Sequence, residues 1–428
     1  MNLSTLEDVV TAATTVNDPV ALASALKAFL KRDIAEHLLA SSLPNDVDPL
    51  TVLNPTANTL GYLYILTARL DHAGAGLALL PQIVAFCEGC TPGPLAFVPE
   101  RVNIFASKLI KQQNIVEVLP ALATFVQRYP WNRDIFTATH TVLLHACVMT
   151  RNYHVALPVL AHPVSQVDKG IYPFNYIDNL LYHYYAGFIF ISLRRWAEAE
   201  EYLEMVVAAP ITTTPSAIQV EAMKKLALVH LIRHGTLKPM PRYVPQLFTK
   251  MIRQSPYGQL IKAYPAGNLV QIIEKETKAF LQDYNLGLVR EVLENAPRWK
   301  LRTLTKTYLT LSLAEIGKEI GMEDASALRR LVEDMIKVGE ITATLDKDTL
   351  TFIDEKPIFS PADVEKALAE AQMQCKRLAA LDQQIGRSKE FLQKALKDRD
   401  TGGGMAWAGH GADESDLMWA EELGGDFV

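Results

Sequence analysis

The chain has 428 residues, 49% apolar and 21% charged, enough to bury a sizeable core and to divide into two or three domains. Its 42 Lys and Arg against 48 Asp and Glu leave a formal charge of −6. The six acids Asp413, Glu414, Asp416, Glu421, Glu422 and Asp426 account for that excess, so the rest is neutral and argues against non-specific binding to nucleic acid or an anionic membrane.

The opening MNLSTLEDVV lacks the basic and apolar regions of a secretory signal. Nowhere do about 18 uncharged apolar residues run together, so no membrane-spanning helix is expected. Four cysteines (Cys87, Cys90, Cys147, Cys375) are too few to brace a chain this long, which fits a reducing compartment.

From Val52 to about Arg242 amphipathic helices recur, each unit pairing an apolar helix with an Ala- and Leu-rich one across a short polar break. Aligning the breaks at His72, Ile115, Tyr153 and Trp196 gives spacings of 43, 38 and 43. Periods near 40 mark stacked helix pairs whose apolar faces are covered only by their neighbours. Trp196, Ala197, Ala199 and Leu203 alternate large and small as interlocking tetratricopeptide-like helices do. A weaker fifth unit starts near Gly235, interrupted by Pro239, Pro241 and Pro245.

Within the repeats, Cys87-Glu88-Gly89-Cys90 has redox or zinc spacing, yet no second pair completes four ligands and the motif ends a helix, where thiolate is not stabilised. His140 and His145 are expected to pack or cap in an apolar helix. His183 lies among Tyr182, Tyr184 and Tyr185, a cluster read as repeat core rather than a base-stacking platform. Gly74 and Gly76 form only GAG, without a preceding strand. There is no HExxH, GxSxG or phosphate loop, so no catalytic residue, metal ligand or cofactor is assigned.

Residues 249–299 add helices. Val270, Ile273, Thr277 and Phe280 share one face, and Leu286, Leu288, Val289, Val292 and Leu293 follow. The dense apolar spacing up to Gly317 predicts helices packed directly on the next module without a flexible linker.

Lys300–Asp354 reads as helix-turn-helix followed by a two-stranded wing. Leu313–Ile320 is helical and stopped by Gly321. Asp324 or Ser326 caps a second helix with Leu328, Leu331, Val332, Met335 and Ile336 on one face, and Gly339 ends it. Ile341, Ala343 and Leu345, a Lys347-Asp348 turn, then Leu350, Phe352 and Asp354 alternate as strands. Such a module usually suggests DNA binding, but it carries eight Lys and Arg against ten Asp and Glu, so no positive face meets the phosphates. Arg329 and Arg330 would be the nucleic-acid contacts, yet Glu333 and Asp334 follow one turn later and favour surface pairing. The second strand, Leu350, Phe352 and Ile353, is predicted to be an unpaired edge that meets another subunit.

Ser360 caps a helix beginning at Pro361 and running nearly forty residues to Asp398. Val364, Leu368, Ala371, Cys375 and Leu378 step 4-3-4-3, and Leu381, Ile385, Ser388, Leu392 and Ala395 continue the alternation after a phase shift. A stripe this long needs a partner, so Leu368, Ala371, Cys375, Leu378, Ile385 and Leu392 are expected to face a helical bundle. Beyond it a Gly-rich, acidic tail is expected to be disordered.

Helical repeats, a winged helix and a long final helix resemble the PCI-domain scaffold subunits of the proteasome lid, the signalosome and the translation initiation factor. YNLGLVREVL, LRTLTKTYLTLSLAEI and VEDMIKVGEITATLDK, with YHYYAGFIFISLRRWAEAEEYLEMVVAAP, resemble more closely the third-subunit family of the constitutive-photomorphogenesis signalosome, from about Tyr129 to Leu392. The resemblance implies a mostly α fold: a repeat solenoid over 1–248, the helical part of the PCI domain over 249–299, a winged helix over 300–356, a bundle helix over 357–400, and the tail over 401–428. It implies a non-catalytic scaffold that supports cullin deneddylation, performed at a zinc site on another subunit, and so the regulation of cullin-RING ligases. Winged helices would pair and the final helix would join a shared bundle. Partners would be other PCI and bundle subunits, with no nucleic acid and no membrane, in cytoplasm and nucleus. The alternatives are a subunit of the proteasome lid, or one of a nucleic-acid-linked PCI complex in translation initiation or mRNA export.

Overall fold

A computed structural model describes residues 3–71, 78–112, 115–211, 214–241, 244–322, 324–353, 360–389 and 391–393. The acidic tail, His72 and the GAG sequence lie outside them. Two compact units result, Met1–Phe352 and Ile353–Val428.

Four helices precede the expected repeats: α1 (Leu6–Thr15), α2 (Pro19–Phe29), α3 (Ala35–Ala40) and α4 (Pro49–Val52). They are too short to show a clear helical period. Local chemistry starts three of them. Thr5 and Asp8 form a reciprocal capping box on α1, while Asp18 and Asp48 each cap a helix whose first residue is proline.

The repeats follow as α5 (Thr59–Arg69), α6 (Leu80–Gly89), α7 (Pro92–Leu95), α8 (Pro99–Leu109), α9 (Ile115–Arg128), α10 (Ala138–Thr150), α11 (Leu157–Leu160), α12 (Tyr176–Ser192), α13 (Trp196–Ala208) and α14 (Ala217–His234). Helices α5, α8, α10 and α12 stack in one layer, and α6, α9 and α11 in another. The period read from the sequence has a structural meaning: Ile115 and Trp196 each start the second helix of a pair, and Tyr153 starts the 3-10 turn leading into α11. Phe86 meets Phe105 edge-on at 5.3 Å, Phe105 meets Phe125 at 5.9 Å, Phe125 stacks on Tyr129 at 5.6 Å, and Tyr129 meets Tyr172 at 5.2 Å. All five rings are buried, so one aromatic seam joins successive pairs. The interlock expected around Trp196 is tight: a Cβ on Gly187 of α12 would lie 2.8 Å from Leu203 of α13.

The fifth unit expected near Gly235 has no helix starting at that residue. That glycine closes α14 in the left-handed conformation (φ 72°), and the next helix starts only after Pro245. Helices α15 (Gln246–Gln254), α16 (Pro256–Ala263), α17 (Leu269–Gln282) and α18 (Leu286–Leu304) then pack in sequence, with α18 returning onto α14. Phe280, Leu288, Val289 and Val292 are buried as their spacing predicts, but Val270 is exposed. Because α18 is one continuous helix, the position expected to separate the helical part from the winged helix, between Trp299 and Lys300, falls inside it. Ala296 belongs to the core before the junction and Leu301 to the core after it. The absence of a flexible linker thus has a mechanical cause.

The winged helix comprises β1 (Thr310–Ser312), α19 (Leu313–Ile320), α20 (Ala325–Lys337), β2 (Ala343–Asp346) and β3 (Thr349–Phe352). Ser312 and Glu315 box the start of α19, Gly321 ends it at φ 82°, and Asp324 caps α20 by accepting from the N–H groups of Ser326 and Ala327. The wing is a three-stranded antiparallel sheet of order β1-β3-β2, with Leu350 opposite both Leu311 and Leu345. Here the sequence reading is corrected: TLS completes the sheet, and β3 is its centre rather than a free edge. In the second unit, the reciprocal pair Ser360–Asp363 starts α21 (Pro361–Arg387). The helix is 27 residues long, not nearly forty, because Ser388 is extended (ψ 135°) two residues after Gly386.

Candidate functional site: the assembly surfaces

Leu350 is fully buried in the module core, Phe352 is half-buried and Ile353 is exposed, so of the three expected interface residues only the last two reach the surface. The sheet edges with no strand partner among the described residues are the outer sides of β1 and β2. At the β1 end, Leu309 is exposed while its carbonyl accepts from the Phe352 N–H at 2.8 Å.

Four of the module's eight cations, Lys300, Arg302, Arg329 and Arg330, have side-chain partners within the chain. Arg329 donates to Asp348 Oδ1 at 2.7 Å and to the Lys347 carbonyl, pinning the wing turn to α20. Arg330 donates to the Ser326 carbonyl at 3.3 Å. Asp334 pairs with Arg298, which also donates to Glu340 at 3.0 Å. In place of the expected pairing with Glu333 and Asp334, Arg330 stays within its own helix, while the Arg329–Asp348 and Arg298–Asp334 pairs tie the wing and α18 to α20.

Along α21, Leu368, Ala371, Cys375, Leu378 and Ile385 all lie on an exposed surface, as does Leu392 beyond the break. No residue of the helix is buried among those described. Leu378 is 64% exposed and Ile385 53%.

The chemistry-bearing residues of the repeats have structural work. Cys87 lies near the end of α6, Cys90 is its C-cap, and both are buried. Burial pushes the Cys90 thiol up to about 11, and the Cys87 thiol rises for the same reason. Such thiols are poor nucleophiles and poor metal ligands. His140 does cap its helix: Nδ1 accepts from the Thr137 N–H at 3.3 Å and lies 2.9 Å from Thr137 Oγ1. Tyr182 is buried against Phe136, His140 and Tyr202, as repeat core should be.

Burial holds His140 down at about 4 against 6.5 when free. Below pH 6.5 the unfolded chain takes up this proton and the folded chain does not, so stability falls as pH drops from 6.5 towards 4. The loss should approach about 3 kcal/mol. His140→Gln keeps the capping acceptor but cannot titrate. Urea unfolding at pH 7 and 4.5 should therefore show a smaller pH effect in the variant, and an equal effect would contradict the assignment.

One cluster escaped the sequence reading. Glu200 of α13 is buried and accepts from Arg233 at 2.7 Å, His234 Nε2 at 2.7 Å and Lys238 at 2.5 Å. Burial alone would raise its pKa, but these donors overcome that and hold the carboxyl at about 2. Beside it stand Glu204, half-exposed, and His230 of α14, fully buried. The signal was a Glu-x3-Glu pair in one helix and a His-x3-His pair in the next. Each shares a helix face, but only the packing of α13 on α14 brings the faces together.

A two-layer helical repeat that continues through one helix into a winged helix, with a long further helix after it, defines a PCI-type assembly subunit. Comparison with known proteins bears this out. Residues 24–248 match the family model described as COP9 signalosome complex subunit 3, N-terminal helical repeats, and residues 274–356 match the PCI domain. The COP9 signalosome complex subunit 3 of Dictyostelium discoideum is 27% identical over 395 residues, covering 88% of this chain and 93% of the relative. That of Arabidopsis thaliana is 26% identical over 367 residues, covering 81% and 84%. The chain belongs to the COP9 signalosome subunit 3 family, as a PCI scaffold subunit.

Proposed function

We propose that the chain is a non-catalytic scaffold of the signalosome, supporting cullin deneddylation and thereby the regulation of cullin-RING ligases. The observation that carries this reading is the exposed stripe of α21 from Leu368 to Ile385, which a shared helical bundle would cover. The open edges of β1 and β2 would pair with a neighbour's winged helix, in place of the β3 edge expected from sequence. Partners are then other PCI and bundle subunits, and cullin-RING ligases indirectly. Cytoplasm and nucleus are the compartments this role requires.

The test is purification of the tagged full-length chain, with mass spectrometry of what accompanies it. Signalosome subunits in near-equal amounts are expected. A proteasome-lid or initiation-factor set, or no large assembly, would overturn the reading.

A further inference from the structure

We propose that Glu200, Glu204 and His230 form a site for one divalent transition-metal ion of the zinc class, bridging α13 and α14. The carboxylate and imidazole ligand atoms all lie within 4.8 Å of one another. His230 Nε2 is 3.6 Å from Glu200 Oε1 and 3.7 Å from Glu204 Oε1. Those separations are too long for hydrogen bonds, and neither ring nitrogen of His230 has a partner although the side chain is 0% exposed. A buried polar ring left unpaired is costly and calls for an occupant. The distances suit one: bonds of about 2.0–2.2 Å to a tetrahedral ion set its ligand atoms roughly 3.4 Å apart. Imidazole with carboxylate is a set that zinc accepts.

Three further features shape the site. His234 holds the other Glu200 oxygen at 2.7 Å and so orients the ligand. Glu204 is half-exposed and gives the ion a route from solvent. Lys238, 2.5 Å from Oε1, is the competitor: its ammonium occupies the oxygen the ion would use, with Arg233 close by on Oε2. Both cationic side chains are partly exposed and can swing into water when a dication takes over the counter-charge. The site lies within one chain and does not depend on the assembly reading.

Isothermal titration of full-length, chelator-treated protein with Zn²⁺ tests it, alongside the visible spectrum of the Co²⁺-loaded form. One saturable equivalent is expected, bound more tightly by Lys238→Ala and more weakly, by roughly tenfold or more, in Glu204→Gln and His230→Asn. The Co²⁺ spectrum should lack thiolate charge-transfer bands, and Cys87→Ser should bind as wild type does. Glu204 is half-exposed, so Glu204→Gln decides the matter if His230→Asn fails to fold. No saturable binding by either wild type or Lys238→Ala would overturn the proposal. So would affinity unchanged in Glu204→Gln, or binding lost in Cys87→Ser.

Discussion

Leu378→Asp combined with Ile385→Asp should release the chain from its complex while leaving Met1–Phe352 folded. The two side chains sit seven residues apart on one face of α21, 64% and 53% exposed in the chain alone. Replacing exposed residues costs the isolated chain little, because neither belongs to a buried core. In a bundle both positions become interior. Each substitution then forfeits about 1.5–3 kcal/mol of apolar burial and adds a carboxylate that must be desolvated. Together the lost burial weakens assembly by roughly 10² to 10⁴. Tagged double variant purified from cells should therefore lose the large complex on gel filtration yet retain wild-type helicity. Leu378→Asn with Ile385→Asn removes the charge and should fall between the two. If the Asp variant still co-purifies in full stoichiometry, α21 is not the attachment helix.

The sequence shows most clearly what depends on local chemistry. Gly321, Asp324, Gly339 and Ser360 end or begin helices where their residue types require it, and their positions agree with the structure. The repeat period is visible because each pair must hide its apolar face against a similar neighbour. Most of the misread features depend on long-range contacts. TLS is only three residues long, and its pairing with β3, some forty residues downstream, decides that Leu350 is buried rather than at an edge. The heptad stripe continues past Ser388 in the sequence, but an apolar period cannot report that Ser388 leaves the helix. Arg329 has Glu333 one turn away yet finds Asp348 across the wing turn. Likewise the Glu200 cluster requires the knowledge that α13 faces α14. Spacing within one helix is readable; which helix lies opposite is not.

Gly235 makes the same point energetically, because its substitution would strain the backbone and a long-range contact together. It closes α14 at φ 72°, a conformation that costs a residue with a Cβ about 1–2 kcal/mol. A Cβ there would also lie 2.5 Å from Trp299 Cε3, on α18. The indole cannot easily give way: its Nε1 donates to the Ile232 carbonyl at 2.9 Å, and the Arg302 guanidinium covers the ring at 4.6 Å. Forcing the ring aside adds a further 1–3 kcal/mol or so of overpacking. Gly235→Ala should therefore cost about 3 kcal/mol, concentrated where α18 carries the winged helix against the repeats. Hydrogen exchange of the α14 and α18 amides should accelerate, while the aromatic seam around Phe105 and Phe125 stays protected. The two contributions separate in a double-mutant cycle, since Trp299→Ala opens the space but leaves φ unchanged. In that background Gly235→Ala should cost only about 1 kcal/mol, the backbone share alone. Equal costs in both backgrounds would mean that the contact with Trp299 carries no strain. A Gly235→Ala chain as stable as wild type would mean that this turn does not set the path from repeats to winged helix.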